Sequence, residues 1–265
     1  MSPIAFTLGK FEVRWYSIFI LVGVILGFAI IMSESKRFQL KNEVMFNTMF
    51  WGLLFGILGA RVYYIIFNMD YYSSHFSEIF KIWHGGLAIH GGLLFGMIAI
   101  YVYIKKYNVS FKKILDIFAP AVILGQAIGR WGNFFNGEAY GTAVSYETLE
   151  SLRIIPTFIM DNMYFNGSFH LPMFYFESIL CLIGFVLLLI YRRRKYRKNG
   201  QTFGLYLMWY GFIRFFIEMF RTDSLMLGSI KVAQIVSIMM VLFGLYIILV
   251  QGRKPKLEDL YNRQD

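Results

Sequence analysis

One cysteine stands in 265 residues, so no disulfide can form within the chain. Cys181 falls inside the apolar run 178-SILCLIGFVLLLI-190 and reads as a small buried side chain rather than a reactive thiol. There is no CxxC pair, no HExxH pair and no acidic loop, so no metal site is expected. Charge is also scarce. Asp, Glu, Lys and Arg make up 16% of the chain, against about 25% in ordinary soluble domains. No internal repeat is evident, which counts against transporters built from inverted repeats.

What is present is apolar, at 57% of residues, and it is gathered into runs. Seven runs, 15–33, 44–67, 85–104, 115–135, 171–191, 203–221 and 230–250, reach or approach the roughly 20 residues that carry a helix across a bilayer. The expected fold is all-α: a polytopic membrane protein with seven transmembrane helices in a single domain, 1–265. Asp116, Pro120, Gln126 and Arg130 interrupt the fourth run, which is expected to enter obliquely or break near its end. The first run is too long for a cleaved signal peptide and lacks a small-residue cleavage site before 33-SESKR-37.

The net charge of +10 is distributed as a topology signal rather than a nucleic-acid surface. Lys36, Arg37 and Lys41, then Lys105, Lys106, Lys112 and Lys113, then 192-RRRKYRK-198, then Arg253, Lys254, Lys256 and Arg263 occupy alternate connections. The connections between them are poor in Lys and Arg. This alternation places the N-terminus outside and the C-terminus in the cytoplasm, with anionic lipid as a secondary partner and no nucleic acid. Residues 136–170 then form a small outward-facing cap with a short helix at 146–153, and 252–265 form a flexible cytoplasmic tail.

Arg61, Arg130 and Arg214 lie within the apolar runs. An unpartnered cation at such depth costs from roughly 2.5–3.5 up to about 10–17 kcal/mol. Partners are therefore expected, and the commonest membrane anion is a phospholipid head group. Asp116 is the clearest acidic residue at comparable depth. Arg61, near the end of the second run, is explained by snorkelling to the interface.

Three segments carry candidate chemistry. In 129-GRWGNFFNGEAYG-141, Arg130 and Asn133 share a helix face, and glycines permit close backbone approach. Arg130 presents a fork that suits phosphate oxygens, which Asn133 can help cradle; pairing with Glu138 or Asp116 is the structural alternative. In 210-YGFIRFFIEMFR-221, Tyr210, Arg214, Glu218 and Arg221 form one helical stripe with two cations and one acid. That stripe binds an anion or is a salt-bridge ladder. In 85-GGLAIHGGLLFG-96, His90 is either a base near neutral pH or a packed histidine, and Gly86, Gly91 and Gly92 favour close approach of a ligand. His75, His84 and His170 fall in outward loops. Tyr16 opens the first run as an interfacial aromatic.

GRWGNFFNGEAYG, GGLAIHGG and RFFIEMFR, in this order on seven apolar runs, resemble the bacterial prolipoprotein diacylglyceryl transferase family over nearly the whole chain. The resemblance implies a cell-membrane enzyme that moves the diacylglyceryl group of phosphatidylglycerol to the lipobox cysteine of a prolipoprotein and releases glycerol phosphate. It implies no organic cofactor, because both reacting partners arrive as substrates. It implies functional positions at Tyr16, His90, Arg130, Asn133, Glu138, Gly141, Tyr210, Arg214, Glu218 and Arg221. His90, Arg214 and Tyr16 are the expected catalytic residues. Arg130, Asn133, Gly141 and Arg214 are the expected lipid-binding ones. Glu138 and Glu218 are expected to orient arginines, with Tyr210 and Arg221 in support. The segment 170-HLPMFYFE-177 departs from a family His-Pro…Tyr-Glu element by the inserted Leu171, so His170 and Glu177 receive no role. A monomer is expected. A lipid or anion transporter that uses the arginines as a path is the alternative function.

Overall fold

The computed structural model describes all residues except 1, 10, 39, 83, 84, 195, 254–260 and 262–265. His84 and most of the expected tail 252–265 lie outside the described residues. The chain forms β1 (Ile4–Leu8), β2 (Phe11–Arg14), α1 (Trp15–Arg37), α2 (Asn42–Ile66), α3 (Met69–Tyr72) and α4 (Ile89–Lys105). It continues through α5 (Phe111–Asn136), β3 (Ala143–Val144), α6 (Tyr146–Ser151), α7 (Thr157–Met160), β4 (Tyr164–Phe165) and β5 (Ser168–His170). It ends with α8 (Met173–Tyr191), α9 (Gln201–Phe220), β6 (Met226–Leu227), β7 (Ile230–Lys231) and α10 (Val232–Gly252).

Each of the seven apolar runs folds as a helix. Five, α1, α2, α8, α9 and α10, are long and apolar enough to cross a membrane. Helix α4 is shorter, at 17 residues. Helix α5 carries Lys112, Lys113, Asp116 and Arg130 in its 26 residues. Of the two expectations for the fourth run, oblique entry or a break near its end, the break does not occur: α5 continues as one helix through Pro120 to Asn136. A proline removes one backbone donor, and the remaining bonds carry the helix past it. The protein is mostly helical, but not all-α: β1–β2, β3–β5–β4 and β6–β7 are small antiparallel sheets. They are too short to show the alternation by which strands are read.

The chain divides into two compact units, residues 1–30 with 115–265, and residues 31–114. In the first, α1 runs antiparallel to α5, where Gly23 and Gly27 meet Gly125 and Ala121. Helix α8 is tied to α5 by the Ser178 hydroxyl on the Ala127 carbonyl (2.9 Å), and α9 to α8 by the Trp209 indole on the Leu180 carbonyl (3.0 Å). Cys181 is fully buried in this core with Ala119, Ile123 and Leu188. The Asp116 carboxylate accepts from the backbone N–H groups of Gly200 (2.6 Å) and Phe203 (2.8 Å), capping the start of α9. Arg214 stands fourteen residues further along, about 20 Å on a helix. Asp116 therefore cannot serve it as a counter-ion.

The cap over 143–170 folds as the three-stranded sheet with α6 and α7, and α6 matches the expected short helix. Ser145 caps α6 by accepting from Thr148 N–H (3.2 Å). Leu149, Ile155, Ile159 and Met163 bury against Phe134 and Phe174, which fixes the cap to the end of α5 and the start of α8. In the second unit α2 packs on α4 through glycines: a side chain at Gly59 would meet Phe95, and one at Gly91 would meet Tyr63.

Candidate active site

Asn136 ends α5 in a geometry that its sequence dictates. Gly137 takes φ +66°, its N–H donates to Phe134 O (3.1 Å), and Glu138 N–H donates to Asn133 O (2.9 Å). This paired closure satisfies the last carbonyls and favours glycine at the left-handed position. It also turns Glu138 back over the helix end. The Glu138 carboxylate accepts from Asn133 Nδ2 (3.3 Å) and Asn136 Nδ2 (3.2 Å). Glu138 therefore orients two asparagines rather than an arginine.

From Asn133 the polar chain continues inward. Arg130 Nη1 donates to Asn133 Oδ1 (3.1 Å), while its Nη2 lies 3.1 Å from Glu177 Oε1 and 3.4 Å from the Tyr210 hydroxyl. Tyr210 donates to the same Glu177 oxygen (3.3 Å). The other oxygen of Glu177 accepts from Arg214 Nη1 (3.4 Å), and Arg214 Nη2 meets Glu218 at 2.7 Å. Glu177 and Glu218 are each only 1% exposed. One connected network thus joins α5, α8 and α9. The Arg130 Nε–H is buried with no acceptor among the described residues, which leaves one donor of the guanidinium unused there.

Arg130 pairs with Glu177, not with Glu138 or Asp116. Arg214 pairs with Glu218, the acid expected to orient an arginine, and also with Glu177, so both arginines have acidic partners. Arg221 leaves the stripe: its Nε and Nη2 grip Asp223 in a two-point pair at 2.9 Å each. Arg130 and Arg214 also lie within two turns of the ends of α5 and α9.

The remaining predicted residues of this unit are Tyr16 and Gly141. The ring of Tyr16 packs against Gly132, where any Cβ would strike it, and neighbouring Trp15 stacks on Phe135 at 4.8 Å. Gly141 donates its N–H to Leu171 O (2.8 Å), accepts from buried His170 Nδ1 (2.8 Å), and bridges antiparallel to Arg221. Asp223 also accepts from Ala139 N–H (3.4 Å). Burial pushes the Asp223 carboxyl up, but the hydrogen bonds and charge of Arg221 outweigh it and hold the group below its ordinary value. Lys231 Nζ donates to the carbonyls of Glu218 (2.6 Å) and Arg221 (2.7 Å) at the end of α9, where a cation is favoured. The sequence reading missed Glu177, Asp223 and Lys231.

Two apolar grooves lie on the helices that carry this polar centre. One, of about 480 Å³, lies between α8 and α9 and is lined by Phe176, Leu180, Phe212, Phe216 and Ile217. The other, of about 350 Å³, lies among α1, α5 and α8, lined by Trp15, Phe19, Ile128, Trp131 and Leu182.

The second unit holds His90 and Arg61. His90 is exposed on the first turn of α4, its ring 6.3 Å from that of Tyr63. The glycines around it serve helix packing: Gly91 and Gly92 lie against Gly59 and Gly56 of α2. Arg61 does not snorkel. It is 6% exposed, and its guanidinium donates to the carbonyls of Glu78, Ile79 (2.9 Å), Gly85 (2.8 Å) and Gly86 (3.0 Å).

These features define a helical membrane-type protein with a charge-dense centre beside apolar grooves. The family described as Prolipoprotein diacylglyceryl transferase matches residues 3–250. The chain is 45% identical over 264 residues to the phosphatidylglycerol--prolipoprotein diacylglyceryl transferase of Staphylococcus xylosus, covering 98% of this chain and 94% of that relative. It is 46% identical over 255 residues to the protein of that name from Staphylococcus saprophyticus, covering 96% of this chain and 91% of the relative. For the one from Staphylococcus aureus strain Newman the figures are 48% over 249 residues, 94% and 88%. The chain belongs to the prolipoprotein diacylglyceryl transferase family, the one its motifs resemble.

Proposed function

We propose that this chain transfers the diacylglyceryl group of phosphatidylglycerol to the lipobox cysteine thiol of prolipoproteins, the first step of bacterial lipoprotein maturation. The observation that carries the reading is the Arg130–Glu177–Arg214 network, set beside grooves that suit acyl chains, in a chain 45–48% identical to enzymes of that name. The protein sits in the bacterial plasma membrane as a monomer with seven spans, N-terminus outside, C-terminus cytoplasmic and the cap facing outward. The Lys and Arg alternation supports this orientation.

In the reaction the cysteine sulfur attacks the diacylglyceryl carbon that carries the phosphate. A sulfur–carbon bond forms, the carbon–oxygen bond breaks, and glycerol phosphate leaves with the bonding electrons. The thiol must first lose its proton, and His90 is the base in this reading. Arg130 Nε–H meets a phosphate oxygen, and Arg214 faces the charge that grows on the leaving group. Glu177 and Glu218 keep both guanidiniums aimed, and they balance their charge before lipid arrives. That balance explains how buried arginines persist without a ligand. Asn133 and Tyr16 hold the head group. Glu138 fixes Asn133.

The test is purified protein in vesicles containing phosphatidylglycerol with a lipobox peptide. The peptide cysteine gains the mass of a diacylglyceryl group as a thioether, and glycerol phosphate appears in equal amount. Movement of lipid across the bilayer with an unmodified peptide would support a transporter instead. Arg130→Lys keeps the charge but loses the fork, and the rate falls by about 10²–10³. A rate near that of the unchanged protein would remove Arg130 from the phosphate site.

A further inference from the structure

We infer that Arg61 is a positioning residue for His90, acting through the loop that leads into α4. The proposal rests on His90 as the base for the thiol. Arg61 projects from the last turns of α2 and is buried. Its Nε–H reaches Ile79 O, its Nη1 reaches Gly85 O and Gly86 O, and its Nη2 reaches Glu78 O. Its guanidinium also stacks over the Tyr72 ring at 5.3 Å. The acceptors are all backbone carbonyls, gathered from the two ends of one loop. A planar fork with donors on both sides spans such a gap, whereas a lysine offers its donors from a single point.

The loop is built around this grip. Gly86 takes φ +73°, and a Cβ there would sit 2.6 Å from Arg61 Nη1 and 2.8 Å from the Tyr64 ring. Two residues on, Ala88 N–H donates to Ala60 O (3.0 Å). Helix α4 begins at Ile89, so His90 lies on its first turn. The His90 ring stands 6.3 Å from that of Tyr63, and Gly91 packs against Tyr63. Consecutive residues of α2, from Ala60 to Tyr64, thus form a template for 85–91, and Arg61 supplies most of its polar contacts. A group that transfers a proton must be held to well under an ångström, and a misplacement of about 1 Å can cost around 100-fold. Removing the fork takes the side-chain donor from the Ile79, Gly85 and Gly86 carbonyls, while Glu78 O keeps the Lys81 N–H, and frees the segment that carries His90.

The test is a double-substitution cycle in the full chain, reconstituted with phosphatidylglycerol and a lipobox peptide. Arg61→Lys lowers kcat about 10- to 100-fold with little change in KM. The same change made in a His90→Asn background lowers it less than about twofold, because the residue it positions is gone. Losses that simply multiply would mean a general structural role and overturn the proposal. Gly86→Ala pushes a methyl group into the same fork and repeats the pattern should Arg61→Lys not fold. Ring signals of ¹⁵N-labelled His90 give a readout independent of turnover. They shift in Arg61→Lys while those of His170 stay in place. If His90→Asn alone keeps the normal rate, the base assignment fails, and the ring signals alone decide: unmoved signals overturn the positioning role and displaced signals sustain it.

Discussion

The Glu177 carboxylate lies 3.1 Å from the Arg130 guanidinium, and its second oxygen lies 3.4 Å from Arg214. One acid on α8 therefore sets the spacing of two cations on α5 and α9. Glu177→Gln keeps the shape but removes the charge. Breaking a buried ion pair from one side costs about 3–5 kcal/mol, because the partners stay charged. Thermal unfolding in detergent is expected to show that loss, and transfer activity to fall with it. An unchanged melting temperature would mean that the arginines do not depend on Glu177.

Asn133 is held by Glu138 at 3.3 Å on one side and by Arg130 at 3.1 Å on the other. Glu138→Gln turns one acceptor oxygen into a donor, so only one of the two asparagine amides keeps its acceptor. The expected outcome is a lower kcat with a raised KM for the lipid, since Asn133 loses its orientation. Thermal stability should change by under about 1 kcal/mol at this exposed position. A large loss of stability with normal kinetics would place Glu138 in the fold alone.

Asp223 is held below the ordinary carboxylate value by Arg221. A lowered folded value means that its stabilisation is complete above the unfolded value and is lost only as pH falls through the lower folded one. Between pH 5 and 8 the group stays ionised. Asp223→Asn should therefore scale the transfer rate without moving either limb of the rate–pH profile. A displaced limb would show that Asp223 itself titrates in that range.

Close helix contact in the second unit depends on glycine. At Gly91 a methyl group would run into Tyr63 and the Gly59 carbonyl. Gly91→Ala should cost about 1–3 kcal/mol by overpacking. Gly129 of α5 has open space where a Cβ would stand, and Gly129→Ala should leave stability unchanged or raised by about 0.5–1 kcal/mol. Equal melting shifts for the two would contradict the packing described.

The long helices were legible because apolar runs mark them, and five of those described are long and apolar enough to cross a membrane. Arg130, Asn133, Tyr210 and Arg214 were legible because helical spacing aligns them and buried charge demands a reason. Glu177 carries the same mark, being the one charged residue of the run 171–191, but the inserted Leu171 breaks the family spacing that would have given it a role. Asp223 and Lys231 lie in a short turn where no periodicity marks them. The glycines beside His90 looked like room for a ligand, since a helix-packing glycine and a site glycine have the same letter. Arg61 looked like a snorkelling residue because its acceptors are backbone carbonyls, which leave no trace in sequence.

A structure with phosphatidylglycerol bound tests the central claim most directly. The account predicts a phosphate oxygen within hydrogen-bond reach of Arg130 Nε, Arg214 facing the same phosphate, and acyl chains lying in the apolar grooves. A lipid phosphate bound elsewhere, out of reach of both Arg130 and Arg214, would contradict it.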